Sequence, residues 1–144
     1  MVVRNVEGFV EVLLVERSPS GFAGAGDLRL QVRVAFSTFT GEYDQVWIES
    51  NAFRDFLAQL RTLEAQRRGS AILSSMSPGE LDLEIHSIGS AGQMAASGQL
   101  GRHTLISDGG WAWCQIPFYF QLSSPSLLPE LLAEFQLWHS WAGA

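Results

Sequence analysis

Three histidines, one cysteine and fifteen carboxylates are the side chains of this 144-residue sequence whose chemistry could serve a reaction or hold a metal. Their spacing decides what they can do. His86, His103 and His139 fall on different expected elements, and no HExxH, CxxC or GxSxG pattern occurs. The best metal candidate is the alternating trio Asp82, Glu84 and His86 in ELDLEIHSI. Same-face neighbours on a strand stand about 7 Å apart, so the outer two are separated by roughly 13 Å, whereas zinc ligands converge to about 2.0–2.3 Å from one ion. The trio reads as the polar face of a strand, and no metal is expected.

Cys114 shares a parity with Ile116 and Phe118 and is expected to point inward, where a free cysteine behaves as a small hydrophobe. The carboxylates show no pair held in unlike environments, as acid and base catalysis by two carboxyl groups requires. The glycines of SPSGFAGAGD (Gly21, Gly24, Gly26) hint at a phosphate cradle, but such a loop opens a helix and this one opens the alternating strand LRLQVRVAFS. It reads as a mobile hairpin loop. No catalytic residue and no cofactor are expected.

What remains is aromatic. In DGGWAWCQIPFYFQL, one alternating set (Ala112, Cys114, Ile116, Phe118, Phe120, Leu122) reads as core, and the other (Trp111, Trp113, Gln115, Pro117, Tyr119, Gln121) faces away from it. Trp and Tyr supply large contact area with few torsions, and acidic neighbours attract a basic partner. Trp47, Trp111, Trp113 and Tyr119, joined by Tyr43 and flanked by Glu80, Asp82 and Glu84, are therefore the expected partner-binding surface. The plainer alternative is that these aromatics pair across strands, are covered by a loop or build a homodimer. Pro117 inside the strand places it at a sheet edge or a bulge, and a bulge there would exchange the faces of the residues beyond it.

The elements that must position these residues follow from periodicity. GFVEVLLVER (8–17), LRLQVRVAFS and Tyr43–Ile48 read as strands, the last with Val46 and Ile48 on one face and Tyr43, Gln45 and Trp47 on the other. From Ser50 the period changes to that of a helix, with Phe53, Phe56, Leu57, Leu60 and Leu63 as its stripe, Ser50 or Asn51 as its N-cap, Arg67 and Arg68 at its negative end and Gly69 as its stop. SAILSSM, ELDLEIHSI and the Gly/Ala-rich AGQMAASGQLG form a meander, GRHTLISDGG is a loop or partial strand, and residues 123–141 form a second helix on Leu128, Leu131, Leu132, Phe135 and Trp138 or His139. The sum is one α+β domain over residues 1–144. Its expected core is a single twisted antiparallel sheet of six or seven strands with both helices on one face.

The totals narrow the classes. A net charge of −6, with every basic residue an arginine, disfavours a phosphate backbone as ligand, so nucleic acid is not an expected partner. No apolar run approaches the roughly 18 residues of a membrane helix, no signal peptide is evident, and the single cysteine permits no internal disulfide. A soluble cytoplasmic protein without membrane contact is expected.

The order of strands, then ESNAFRDFLAQLRTLEAQ, then short strands including LDLEI, then an aromatic strand running into SLLPELLAEF, resembles the WapI family of immunity proteins over roughly residues 28–138. The resemblance implies a small cytosolic bacterial protein that neutralises the toxic domain of a contact-dependent polymorphic toxin by binding it, with no catalytic residues to carry over. Its cognate toxin domain would be basic, to match the acidic balance. Two other readings stand beside it: a small-molecule-binding domain or enzyme with His86, His103 or Cys114 near its pocket, and a structural homo-oligomer using the aromatic face.

Overall fold

Residues 1–140 are described in this computed structural model. The chain opens with β1 (Val2–Arg4), β2 (Gly8–Arg17), β3 (Leu28–Phe36) and β4 (Phe39–Ile48), an antiparallel sheet in the order β1-β2-β3-β4. In β3 the apolar residues Leu28, Leu30, Val32 and Val34 are buried, and the intervening Arg29, Gln31 and Arg33 lie on the opposite face. That face neutralises itself. Arg29 bonds Glu16 at 3.0 Å, and Arg33 reaches Glu11 at 3.1 Å and Glu42 at 3.5 Å, across strands already in register.

α1 (Ser50–Gln66) follows, then β5 (Ser70–Ser74), β6 (Leu81–Ile88), β7 (Gln93–Leu105) and β8 (Trp111–Gln121), a second antiparallel sheet in the order β5-β6-β7-β8, and finally α2 (Leu127–Ser140). The α+β class holds, but the single sheet of six or seven strands does not: there are two sheets of four strands each. Short connections make neighbours antiparallel within each meander. They do not tie one meander to the other, and α1 carries the chain away from β4 before β5 begins. GRHTLISDGG is a partial strand, its first five residues continuing β7 to Leu105.

The α1 stripe is buried as its spacing predicts, through Phe53, Phe56, Leu57, Leu60 and Leu63. Its ends differ from expectation. Neither Ser50 nor Asn51 is the cap: Glu49 holds that position without a side-chain bond, and the Ser50 amide instead donates to Asp27 Oδ1 at 2.8 Å, from the loop before β3. At the other end Arg67, not Gly69, takes the left-handed conformation that stops the helix, and its amide donates to the Leu63 carbonyl. Gln59 Oε1 accepts from the Ile72 amide at 2.9 Å, so α1 also satisfies part of the free edge of β5.

α2 buries Leu128, Leu131, Phe135 and Trp138, while His139 is exposed and Trp141 of the expected helix lies outside the described residues. The two helices meet through rings. Phe56 and Phe135 are edge-to-face at 5.2 Å, and Phe53 and Phe135 at 6.2 Å, a geometry worth about 0.5–1.5 kcal/mol per pair beyond the area buried. Both sheets and both helices share one hydrophobic core cluster. In β7, Gly98 allows the close strand approach expected of AGQMAASG, since a Cβ there would stand 1.8 Å from the Asp82 carbonyl oxygen. Among the described residues no helix is long and apolar enough to cross a membrane.

Candidate partner-binding face

The second sheet turns Leu81, Leu83 and Ile85 of β6 and Phe118 and Phe120 of β8 into the core. The other parity forms its outer face. Register sets that face in rows: Ile72, Glu84, Ser97 and Tyr119 lie across the four strands, flanked by Ser70, His86, Ala95 and Gln121 on one side and Ser74, Asp82, Gln99 and Pro117 on the other. Ile72 is 51% exposed and Tyr119 54%. β8 is an edge strand, as its proline requires, and Pro117 causes no register shift, so Tyr119 keeps the parity of Trp111 and Trp113.

Beyond Leu100 the β7–β8 pair continues as a two-stranded ribbon past the rest of the sheet. Its outer side pairs His103 with Trp113 and Leu105 with Trp111. The His103 ring lies 4.3 Å from Trp113 and stands edge-on to Trp111 at 6.3 Å, so the three rings form one aromatic cluster. Trp113 Nε1 donates to Gln115 Oε1 at 2.7 Å, which fixes the indole, while Trp111 is 68% exposed. The ribbon also overturns the expectation for Cys114. Its parity is that of Phe118, but the ribbon has left the core by that point, so Cys114 is exposed opposite Arg102.

Glu80 stands where the ribbon leaves the sheet, its carbonyl accepting from the Gly101 amide at 2.9 Å. Burial lifts its carboxyl above the ordinary carboxylate range, while the charge of His103 and hydrogen bonds from Ser77 and Tyr43 pull it back. Burial, followed by the charge of Glu80, lifts the Tyr43 phenol in turn, against the opposing Arg102. The Arg102 guanidinium lies over the Tyr43 ring, 5.5 Å from its centroid. This group joins the first sheet to the ribbon.

Of the residues expected on the face, Glu80, Asp82, Glu84, Trp111, Trp113 and Tyr119 belong to the second sheet and its ribbon, and Trp47 does not. Trp47 pairs with Arg29 on the outer face of the first sheet. Tyr43 does not share the outer face of Trp47 and instead meets Glu80 and Arg102. The register of β4 shifts between its pairings with Leu30 and Val32, which turns Tyr43 toward the core side while Trp47 faces out. Asp82 is held by Ser74 Oγ at 3.0 Å and Gln99 Nε2 at 3.1 Å. Glu84 has no hydrogen-bond or ion-pair partner among the described residues. The sequence places His86 on one face with Asp82 and Glu84 but does not single out Ile72, His86 or His103 as partner-binding residues; for Ile72 the available signal is its alternation with the buried Ala71 and Leu73. His86 packs near Tyr119, ring centroids 6.0 Å apart, and its Nδ1 is buried without a hydrogen-bond partner.

No family model, curated protein or solved structure matches this chain.

Proposed function

We propose that the protein is a non-enzymatic binding protein, an immunity or antitoxin-like protein that neutralises a cognate basic toxin domain in the bacterial cytoplasm by binding it directly. The observation that carries this reading is the contrast between the two outer faces. On the first sheet Glu11, Glu16 and Glu42 are each met by an arginine. On the second, among the described residues Asp82 meets only the neutral Ser74 and Gln99 and Glu84 meets no hydrogen-bond or ion-pair partner, beside exposed Ile72 and Tyr119 and the aromatic ribbon. Uncompensated negative charge around large aromatic contact area suits a basic protein surface. The aromatics would anchor it, and the carboxylates would speed encounter and set orientation.

The resemblance to WapI-family immunity proteins supports the same class. The test is a calorimetric titration of this protein with the purified C-terminal domain encoded by the adjacent upstream reading frame. A stoichiometric complex that weakens as salt is raised is expected. Absence of binding at low salt would contradict the reading.

A further inference from the structure

Each of the two sheets ends in two edges, and an unpaired edge is a template for another strand unless the chain blunts it. Most of these edges are blunted. β1 is short, and the length of β2 beyond it carries Glu16 and Arg17. β4 carries Glu42, Asp44 and a register shift, and β5 is short, with its Ile72 amide taken by Gln59 of α1. β8 differs. It runs for 11 residues without a charged side chain, keeps its register with β7 throughout, and has no strand beyond it among the described residues.

The register shows which backbone groups face that free edge. The Gly101 amide donates to the Glu80 carbonyl, so Gly101 points its backbone groups away from β8, and Gln115, opposite it, points its own outward. The Leu122 amide donates to the Met94 carbonyl, which gives the even-numbered positions to β7. Trp111, Trp113, Gln115, Tyr119 and Gln121 therefore each present an N–H and a C=O at the edge, while Pro117, on the same parity, presents only its carbonyl. Ahead of the proline the strand has left the core, and Trp111, Trp113, Cys114 and Gln115 are all exposed.

We infer that β8 pairs antiparallel with β8 of a second copy of this chain about a two-fold axis at Cys114, joining the two copies' second sheets into one. Charge selects the occupant. A chain of net charge −6 repels its own copies wherever acidic surfaces meet, and like charges opposite one another in a ladder are destabilising; the β8 edge sets none against itself. Asp82 and Glu84, which would attract a basic partner, lie two strands inward on β6. Proline places the axis. About Cys114, Trp113 of one copy faces Gln115 of the other and Pro117 faces Trp111 at the end of the ladder, whereas an axis nearer the proline sets its missing donor inside. Pairing engages backbone and leaves the side chains of Trp111, Trp113 and Tyr119 on the outer face, so the inference does not depend on the toxin-binding reading.

Sedimentation equilibrium of the full chain over a dilution series tests the pairing. A monomer–dimer equilibrium is expected. Oxidation with copper phenanthroline should trap the dimer through Cys114, because opposed residues of a non-hydrogen-bonded antiparallel pair stand about 4.5 Å apart at Cα, within disulfide reach. Gln115→Pro removes an edge donor twice per dimer without costing a bond to β7, and should weaken dimerisation at least about tenfold. Cys114→Asp is the second variant. Within one chain its carboxylate faces Arg102, which suits the fold, while in the dimer it faces its own copy, so it should weaken dimerisation similarly. A wild-type chain that stays monomeric throughout the series overturns the inference, as does a dimer that oxidation fails to trap or that persists undiminished in the folded variants.

Discussion

The indole of Trp113 covers Gly101: a Cβ built on that glycine would meet Trp113 Cζ2 at 2.5 Å and the Gly79 carbonyl oxygen at the same distance. The ribbon's aromatic cluster is therefore seated on a bare backbone at the point where β7 leaves the sheet. Gly101→Ala must move both the indole and the preceding turn, since the carbonyl cannot swing aside as a side-chain tip can. It should destabilise the protein by about 1–3 kcal/mol and shift the tryptophan emission. Chemical denaturation followed by fluorescence measures both, and a variant as stable as the parent would mean that the seat is loose.

His86 Nδ1 is buried without a partner, which carries a desolvation cost of about 1–3 kcal/mol. Replacing the imidazole with an apolar ring removes that cost. His86→Phe should raise stability by about 1 kcal/mol, roughly 2–4 °C in Tm for a chain of this size, through packing against Tyr119. A loss of stability in a thermal melt would show that the nitrogen's present surroundings are favourable.

The Glu80 and Tyr43 pair makes a pH-dependent prediction. Both groups hold their protons more tightly in the folded chain than in the unfolded one. Each contribution is fully present below the unfolded pKa and is lost as pH rises through the folded value. For Glu80 that window opens above the ordinary carboxylate pKa, so Glu80→Gln should lose less stability than wild type between about pH 4 and pH 7. For Tyr43 it opens above the ordinary phenol value of about 10. Absorbance titration of the two tyrosines should show a late phase that Tyr43→Phe removes. Persistence of that phase in the variant would assign it elsewhere.

Cys114 should react with a thiol reagent in the native protein, one equivalent per chain without denaturant, because the ribbon leaves it exposed. Reaction only after unfolding would return it to the core.

Much of the architecture was legible because periodicity reports burial directly. The α1 stripe, the alternation of β3 and the helical face of α2 all lie where their apolar spacing put them. Pro117 also signalled its edge, since a proline cannot donate to a second neighbour. What escaped depends on distance in sequence. Parity says which way Cys114 points but not whether core remains beneath it, and the ribbon has outrun the core there. The bulge in β4 separates Tyr43 from Trp47 by one inserted residue that no side-chain type announces. The division into two sheets follows from α1 beginning a new meander, a choice that short connections leave open. The capping of α1 by Asp27 spans 23 positions, beyond the reach of local cap signals.

The central claim is tested most directly by counting survivors. The C-terminal domain encoded by the adjacent upstream reading frame is expressed in a test host alone, with this protein, and with its Trp111→Ala/Trp113→Ala variant, whose fold is checked by circular dichroism. Anchors at the centre of an interface contribute about 2 kcal/mol or more each, so the double variant should bind at least several hundredfold more weakly. The account predicts killing by the domain alone, rescue by the wild-type protein and loss of rescue by the folded variant. Killing that the wild-type protein does not relieve, or rescue undiminished in the variant, would contradict it.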